Sequence, residues 1–444
     1  MKKFIYMLFT LVIFVFSYTI CASAHDYSIL KVGLFYGDTA KQSVSISVSG
    51  GLSYGYFDGM EHKENGVLLG TDFTVSAASS TSMLINGVQK IETGGTNLCI
   101  MPLEGNIFIN GTEYRGGVVL TNASSSTLCV MNIVGLEGYL YSVLGGEMSH
   151  TWDIEALKAQ AVCARGFVAS NYNKHASYGF NLCATTNCQV YKGVSAEKPS
   201  LIEAVDATAG QVLAYEGKCA QTYFFSSSGG YTADVKNIWG STIPYLRGVP
   251  DPYESPSSPN HSWSVTLTND EIASVFKNQG ADIGSLVSLT AKNDKTGRVY
   301  ELTAKGTKGS HTLKNQNTYS PFYSKGVIGQ KYTLSPISTE PVELYVLSGK
   351  KKIKTTPSFS IAAGKTVNSM NTSTVKLISS DGLSRFNSDG DVSGYTFSGG
   401  GWGHGVGMSQ YGAKGMAEAG FGYDEILCHY FPETELKNLY EGLQ

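Results

Sequence analysis

The hydrophobic period of this 444-residue chain changes sharply at Leu136. Before that point residues 28–57 read as strands: an apolar run beginning Ile29-Leu-Lys-Val-Gly-Leu-Phe-Tyr, then Ser43-Val-Ser-Ile-Ser-Val, which alternates polar and apolar with the two-residue period of a half-buried strand. Residues 60–130 continue in short strand-like pieces separated by Gly-Gly, Asn-Gly and Ser runs. From Leu136 the apolar positions Leu136, Tyr139, Leu140, Val143 and Leu144 follow helical spacing, and Gly145-Gly146 is expected to stop that helix. A second, longer helix is expected after Thr151, with Asp153 and Glu155 in a first turn whose dipole favours acids, and with Ile154, Leu157, Ala161, Ala164 and Val168 as its apolar stripe. Residues 200–250 mix one helix with strands and 264–395 are mostly strand-like. From Gly399 a Gly-rich loop leads into a helix near Gln410–Glu418. This order predicts an α+β fold, a mixed helical centre with strand-rich insertions. The expected segments are 1–24, a strand-rich region 25–130, a core 131–263, a strand-rich insertion 264–395, and 396–444 completing the core.

Lys and Arg number 33 against 36 Asp and Glu, a net charge of −3, so the basic surplus of a nucleic-acid binder is missing. A hydrophobic content of 42% excludes a disordered chain. Lys2 and Lys3, the apolar run from Phe4 to Ile20 and Ala22-Ser23-Ala24 form a signal peptide pattern. It predicts a secreted protein that is cleaved after Ala24 and acts outside the cytoplasmic membrane, with an uncleaved signal anchor as the alternative. Cysteines are scattered, unlike the disulfide framework of a small secreted domain. Only Cys183 and Cys188 look like a local device.

Three stretches offer chemistry. Gly145-Gly-Glu-Met-Ser-His-Thr-Trp puts Glu147 between two helices, where apolar neighbours would raise its pKa and the next helix N-terminus would lower it. On pattern alone a capping or surface Glu explains the position at least as well. The stretch from His175 to Tyr191 carries Cys183 and Cys188, which suit either a zinc site or a disulfide, with His175 as a weaker third ligand. Gly399-Gly-Gly-Trp-Gly-His-Gly-Val-Gly-Met-Ser-Gln-Tyr-Gly lets backbone approach a ligand closely and offers His404 and Gln410, but lacks the spacing of a dinucleotide fingerprint. A structural tight turn is the plainer account of it.

Together these motifs resemble the SpoIID/LytB family. The likeness runs through Leu136-Glu-Gly-Tyr-Leu-Tyr-Ser-Val-Leu-Gly-Gly-Glu-Met, Glu155-Ala-Leu-Lys-Ala-Gln-Ala-Val-Cys-Ala-Arg, Cys188-Gln-Val-Tyr-Lys-Gly, Phe225-Ser-Ser-Ser-Gly-Gly-Tyr-Thr and Gly401-Trp-Gly-His-Gly-Val-Gly-Met-Ser-Gln-Tyr-Gly-Ala, in the family's order. It implies a SpoIID-like fold and a peptidoglycan lytic transglycosylase, a glycan-cleaving lyase that cuts between N-acetylmuramic acid and N-acetylglucosamine in cell-wall remodelling or sporulation engulfment. By the same resemblance Glu147 is the catalytic glutamate, and Cys183, Cys188 and His175 hold a structural zinc. Arg165, Gln189, Tyr191, Ser228, Gly229, His404 and Gln410 are the expected substrate-binding residues. Partners would be peptidoglycan glycan strands and a cell-wall amidase. A non-catalytic, LytB-like enhancer of that amidase is the rival reading, and a zinc hydrolase using the Cys pair a more distant one. Asn187 departs from the family pattern, which has His there.

Overall fold

The computed structural model describes residues 27–441, apart from 59–60 and several short stretches between 339 and 391. The signal peptide expected over 1–24 lies outside the described residues. Among the described residues no helix is long and apolar enough to cross a membrane. The fold is α+β, built around two large hydrophobic cores and a smaller third that includes Phe57, Met131 and Phe180.

The first core lies against an 11-stranded sheet. Its path runs from the short edge strand Leu182–Cys183 to Ile29–Phe35, Leu128–Gly135, Gly117–Asn122, Leu98–Ile109 and Ser43–Asp58, and then to three outer strands ending at Gln89–Glu92. The alternation read in Ser43-Val-Ser-Ile is obeyed: Val44 and Ile46 are buried, Ser43 and Ser45 exposed. Helix α1 (Leu136–Glu147) follows directly from the strand Leu128–Gly135. Helix α2 (Ile154–Ser170) begins at Asp153, whose carboxylate accepts the Glu155 N–H at 2.9 Å. It is rich in Ala, so neighbours can approach on every side, and α1, α3 (Pro199–Ala207), α6 (Gln410–Glu418) and α7 (Tyr423–Tyr430) all pack on it. The strand-rich N-terminal region therefore shares its core with the helices: Leu30, Ile46, Val118 and Val130 belong to one cluster with Tyr139, Leu157 and Val162. Each such apolar side chain contributes about 1.5–3 kcal/mol on burial.

Two expectations need correction. Gly145-Gly146 does not stop α1, which runs through both glycines to Glu147. The glycines serve close approach instead: a Cβ on Gly145 would lie 2.1 Å from the Ala196 carbonyl oxygen, and one on Gly146 2.8 Å from that of Val190. Glu147 is accordingly the last helical residue, with Met148 as the C-cap. The insertion is also less purely strand than expected. Beyond the short helix α4 (Val235–Trp239) of the core, helix α5 (Asn269–Asn278) follows the insertion's first strand, with a capping box in which Thr268 and Glu271 bond each other's backbone N–H.

The insertion carries the second core, where Leu267, Ile272, Phe276, Leu302, Phe322 and Phe397 cluster. Strand Val392–Gly399 lies between Trp263–Thr268 and Tyr332–Ser338, so the chain leaves and re-enters the first unit along neighbouring strands. Between them, three hairpins pair Leu344–Ser348 with Lys351–Thr355, Phe359–Ala363 with Thr366–Met370, and Lys376–Ser379 with Gly382–Arg385.

Candidate active site

Met408–Ser409 runs parallel to Phe224–Phe225, and single bridges join Trp402 to Ser227 and Val406 to Ala233. These pairings draw the Gly-rich stretch across the first unit to the C-terminal end of α1. There Glu147 and His404 line two adjoining cavities of about 570 and 550 Å³. Thr186 and Phe224 also border both. One lobe is flanked by Tyr223, Trp239 and Lys174, the other by Trp152, Trp402, Gln410 and Tyr411.

Loss of solvent raises the Glu147 pKa above its ordinary 4.5. Position at the negative end of α1 acts in the same direction. The opposing influences are the Val190 N–H, 3.4 Å from Oε1, the Gln410 amide and the charge of Lys192. Gln410 Nε2 is buried and makes no hydrogen bond of full geometry, so its hold on the carboxylate is loose. Facing them, His404 Nδ1 accepts the Val406 N–H at 3.0 Å, which leaves the proton of the neutral ring on Nε2. Burial, reinforced by the charge of Arg298, pushes the His404 pKa down to about 4. The cleft thus holds a carboxyl group of raised proton affinity together with an imidazole that is uncharged at neutral pH.

Arg298 was not singled out in the sequence. It reaches from the insertion and lies fully buried beneath the Gly-rich loop: a Cβ on Gly405 (φ +82°) would sit 2.6 Å from its Cζ. Its Nη2 donates to the carbonyls of Ser228 at 3.3 Å and Tyr231 at 2.9 Å.

The other expected binding residues are placed elsewhere. Arg165 is wholly buried, with Nε and Nη2 donating to Glu137 at 3.0 and 2.6 Å and Nη1 to the Gln211 carbonyl at 3.0 Å. Gln189 lies in the core, accepting from Tyr139 Oη at 3.2 Å and donating to the Ala164 carbonyl at 3.3 Å. Tyr191 donates to Asn132 Oδ1 at 2.7 Å, also in the core. The Ser228 N–H and hydroxyl and the Gly229 N–H converge on Glu254 Oε2 at 2.7, 2.7 and 3.0 Å. These five residues hold the cleft's walls together and line neither cavity. A buried polar side chain must satisfy itself, and each does so on partners distant in sequence.

His175, Cys183 and Cys188 do come together, their donor atoms all within 4.8 Å of one another. Cys183 stands on the edge strand opposite Gly33, and both cysteines are free thiols. Cys188 Sγ is 3.4 Å from His175 Nε2. Tetrahedral zinc with bonds of about 2.3 Å to sulfur and about 2.0 Å to nitrogen would separate such donors by about 3.5 Å, so the set fits that ion. His175 is steadied by stacking on Phe180 at 5.0 Å. Cys188 borders the first cavity, so this cluster buttresses the wall next to Glu147.

The pattern defining the Stage II sporulation protein family, SpoIID, matches residues 124–215, which hold α1, Glu147 and the Cys pair. An uncharacterized protein of Brachyspira hyodysenteriae is 30% identical over 330 residues, covering 74% of this chain and 73% of its own length. The amidase enhancer of Bacillus subtilis is 30% identical over 398 residues, and stage II sporulation protein D of the same organism 28% over 318. The chain belongs to the SpoIID/LytB family. It shares 68% of its length with stage II sporulation protein D and 83% with the amidase enhancer, but spans only 51% of the enhancer. The SpoIID/LytB match residues stop at 215, whereas the cleft's second wall, from Phe224 and from 402–411, lies beyond them.

Proposed function

We propose that the protein is a peptidoglycan lytic transglycosylase, cutting glycan strands between N-acetylmuramic acid and N-acetylglucosamine outside the cytoplasmic membrane. Membership of a family whose members are named for sporulation and for amidase enhancement places the reading at the cell wall. One observation carries the chemistry: among the described residues lining the two cavities, Glu147 is the only carboxylate, and it is one whose pKa is raised. Glycoside hydrolases of the usual kind need a second carboxylate to activate water or attack the sugar. Asp234 caps a short helix through the Lys236 N–H, and Asp251 is buried on Tyr430, so neither serves. A single acid suffices when the substrate carries its own nucleophile. Protonated Glu147 gives its proton to the glycosidic oxygen as the C1–O bond breaks with oxocarbenium character. The carboxylate then takes the proton of the muramic 6-hydroxyl, whose oxygen bonds C1 and closes a 1,6-anhydro ring. His404, with its ring engaged by the backbone of Val406 and Phe224, is a neutral wall beside the acid. Zinc on His175, Cys183 and Cys188 would supply structure and no chemistry.

Digestion of purified glycan strands followed by mass analysis of the ends tests this. Anhydro ends are expected from the wild-type protein and none from Glu147→Gln. Hydrolysed ends, or turnover by folded Glu147→Gln, would sink the proposal. A second reading, a non-catalytic enhancer of a cell-wall amidase, draws on the likeness to the amidase enhancer. It predicts no cut strands and faster release of stem peptides when the protein is added to an amidase.

A further inference from the structure

Three tryptophans line the cleft, Trp152, Trp239 and Trp402, and one in each lobe stays unusually open. Trp239 is 38% exposed and Trp402 40% exposed. A large ring left in water forgoes burial worth a few kcal/mol, so its retention at a cavity mouth asks for an occupant. Neither ring is loose. Trp239 Nε1 donates to Gln316 Oε1 at 3.2 Å, and its ring meets Tyr223 edge-on at 4.7 Å and His404 at 5.2 Å. Trp402 is paired through its backbone with Ser227 in both directions, at 2.8 and 3.2 Å, and its Nε1 donates to Tyr323 Oη at 3.0 Å. Both tethers, Gln316 and Tyr323, come from the 3-10 turns Asn315–Thr318 and Ser320–Lys325 of the insertion. The insertion thus fixes the ring planes on both sides of Glu147.

We infer that Trp239 and Trp402 are stacking platforms for two pyranose rings of one glycan strand, on opposite sides of the bond presented to Glu147, and that Gln316 and Tyr323 are the positioning residues that set them. The inference rests on the glycan reading above and names how that ligand is gripped. The chemistry is specific. The face of an aromatic ring is electronegative and attracts the polarised axial C–H groups of a sugar, while rigid placement spares the entropy of ordering the ring on binding. An extended strand is required, because the two lobes meet only at Glu147, Thr186, Phe224 and His404.

The test uses full-length protein carrying Glu147→Gln, so that strands are bound without being cut. The probes are the soluble β-1,4-linked hexamer of N-acetylglucosamine and glycan strands freed of peptides, followed by calorimetry and tryptophan emission. Both probes should bind and quench the emission, and Trp239→Ala and Trp402→Ala should each raise Kd about tenfold. Tyr323→Phe keeps an exposed ring and removes only the acceptor. It should weaken binding about threefold and shift the Trp402 emission with unchanged melting, a signature that a purely structural role would not give. No binding by the parent, or affinities within about twofold of it in both tryptophan variants, would overturn the inference. Loss of binding in these variants from a wild-type protein that makes no anhydro ends would support the platforms while removing the transglycosylase. Anhydro ends formed at equal rates by wild type and both tryptophan variants would do the reverse.

Discussion

Glu147 is controlled by a handful of neighbours that pull its proton affinity in opposite directions. Burial raises its pKa, while Val190 N–H, Gln410 and Lys192 lower it. In the proposed reaction Glu147 works protonated, so cleavage should fall as pH rises through that raised pKa. Gln410→Ala removes one influence that favours the carboxylate; the pKa rises further and the alkaline limb of the rate profile should move to higher pH. A limb that stays in place or moves down would remove Gln410 from this role. His404, with its pKa near 4, stays neutral along that limb and contributes nothing to its position. Glu147, His404 and Gln410, which the family resemblance and not local pattern singled out, do line the cleft. Arg165, Gln189, Tyr191, Ser228 and Gly229 misled for a physical reason. A polar side chain in a recognisable motif looks alike whether it meets a sugar or a buried carboxylate, and the carboxylates here, Glu137 and Glu254, lie 28 and 26 residues from Arg165 and Ser228. Trp402 did carry a signal that went unused, a large apolar ring within a run of glycines.

Helix α1 shows how far an element can depart from its local code. Its apolar stripe was legible, yet its end was not, because the reason for Gly145 and Gly146 is the segment 190–196 passing against them. Two substitutions separate propensity from packing. At Gly138 a Cβ meets nothing closer than 3.4 Å, so Gly138→Ala should stabilise the fold by about 0.5–1 kcal/mol. At Gly145 the new Cβ would press on a carbonyl oxygen at 2.1 Å, so Gly145→Ala should destabilise by about 1–3 kcal/mol and lower cleavage with it, since the displaced segment carries Val190. Urea unfolding of both variants gives the comparison, and equal effects would refute it. The edge strand Leu182–Cys183 calls for a different measurement. Purified protein should contain about one zinc per chain, and chelation should lower its melting temperature. No bound metal together with a Cys183–Cys188 disulfide would decide for the alternative.

At the scale of the molecule the insertion is wired into the cleft at its base as well as at its rim. Arg298 lies under Gly405 and holds two carbonyls of the 228–231 loop, and Lys331 donates to the Gly229 carbonyl nearby. Burial lowers the Arg298 pKa only to about 10, so the guanidinium stays charged at neutral pH and faces the field of Glu254 and Asp294. Arg298→Met should therefore cost about 3–5 kcal/mol of stability by leaving buried acceptors unpaired, and should reduce cleavage beyond what the lost stability explains. Unchanged activity at a temperature where the variant is fully folded would show the insertion to be a passive appendage. The composition of residues 264–395 announced strands; it did not announce that their function is to brace a site assembled from other parts of the chain.

The walls of the cleft come from distant parts of the chain: Glu147 on one side, residues 402–411 on the other, joined by the parallel pairing of Phe224–Phe225 with Met408–Ser409. That pairing imposes a delay. As the chain emerges from the ribosome, Glu147 appears more than 250 residues before the strand that closes its cleft, and the insertion must fold in between. A nascent or truncated chain therefore possesses the acid but no groove to present a substrate to it. The groove, and with it the proposed cleavage, exists only once Met408–Ser409 has paired, a latency that the order of the chain itself imposes.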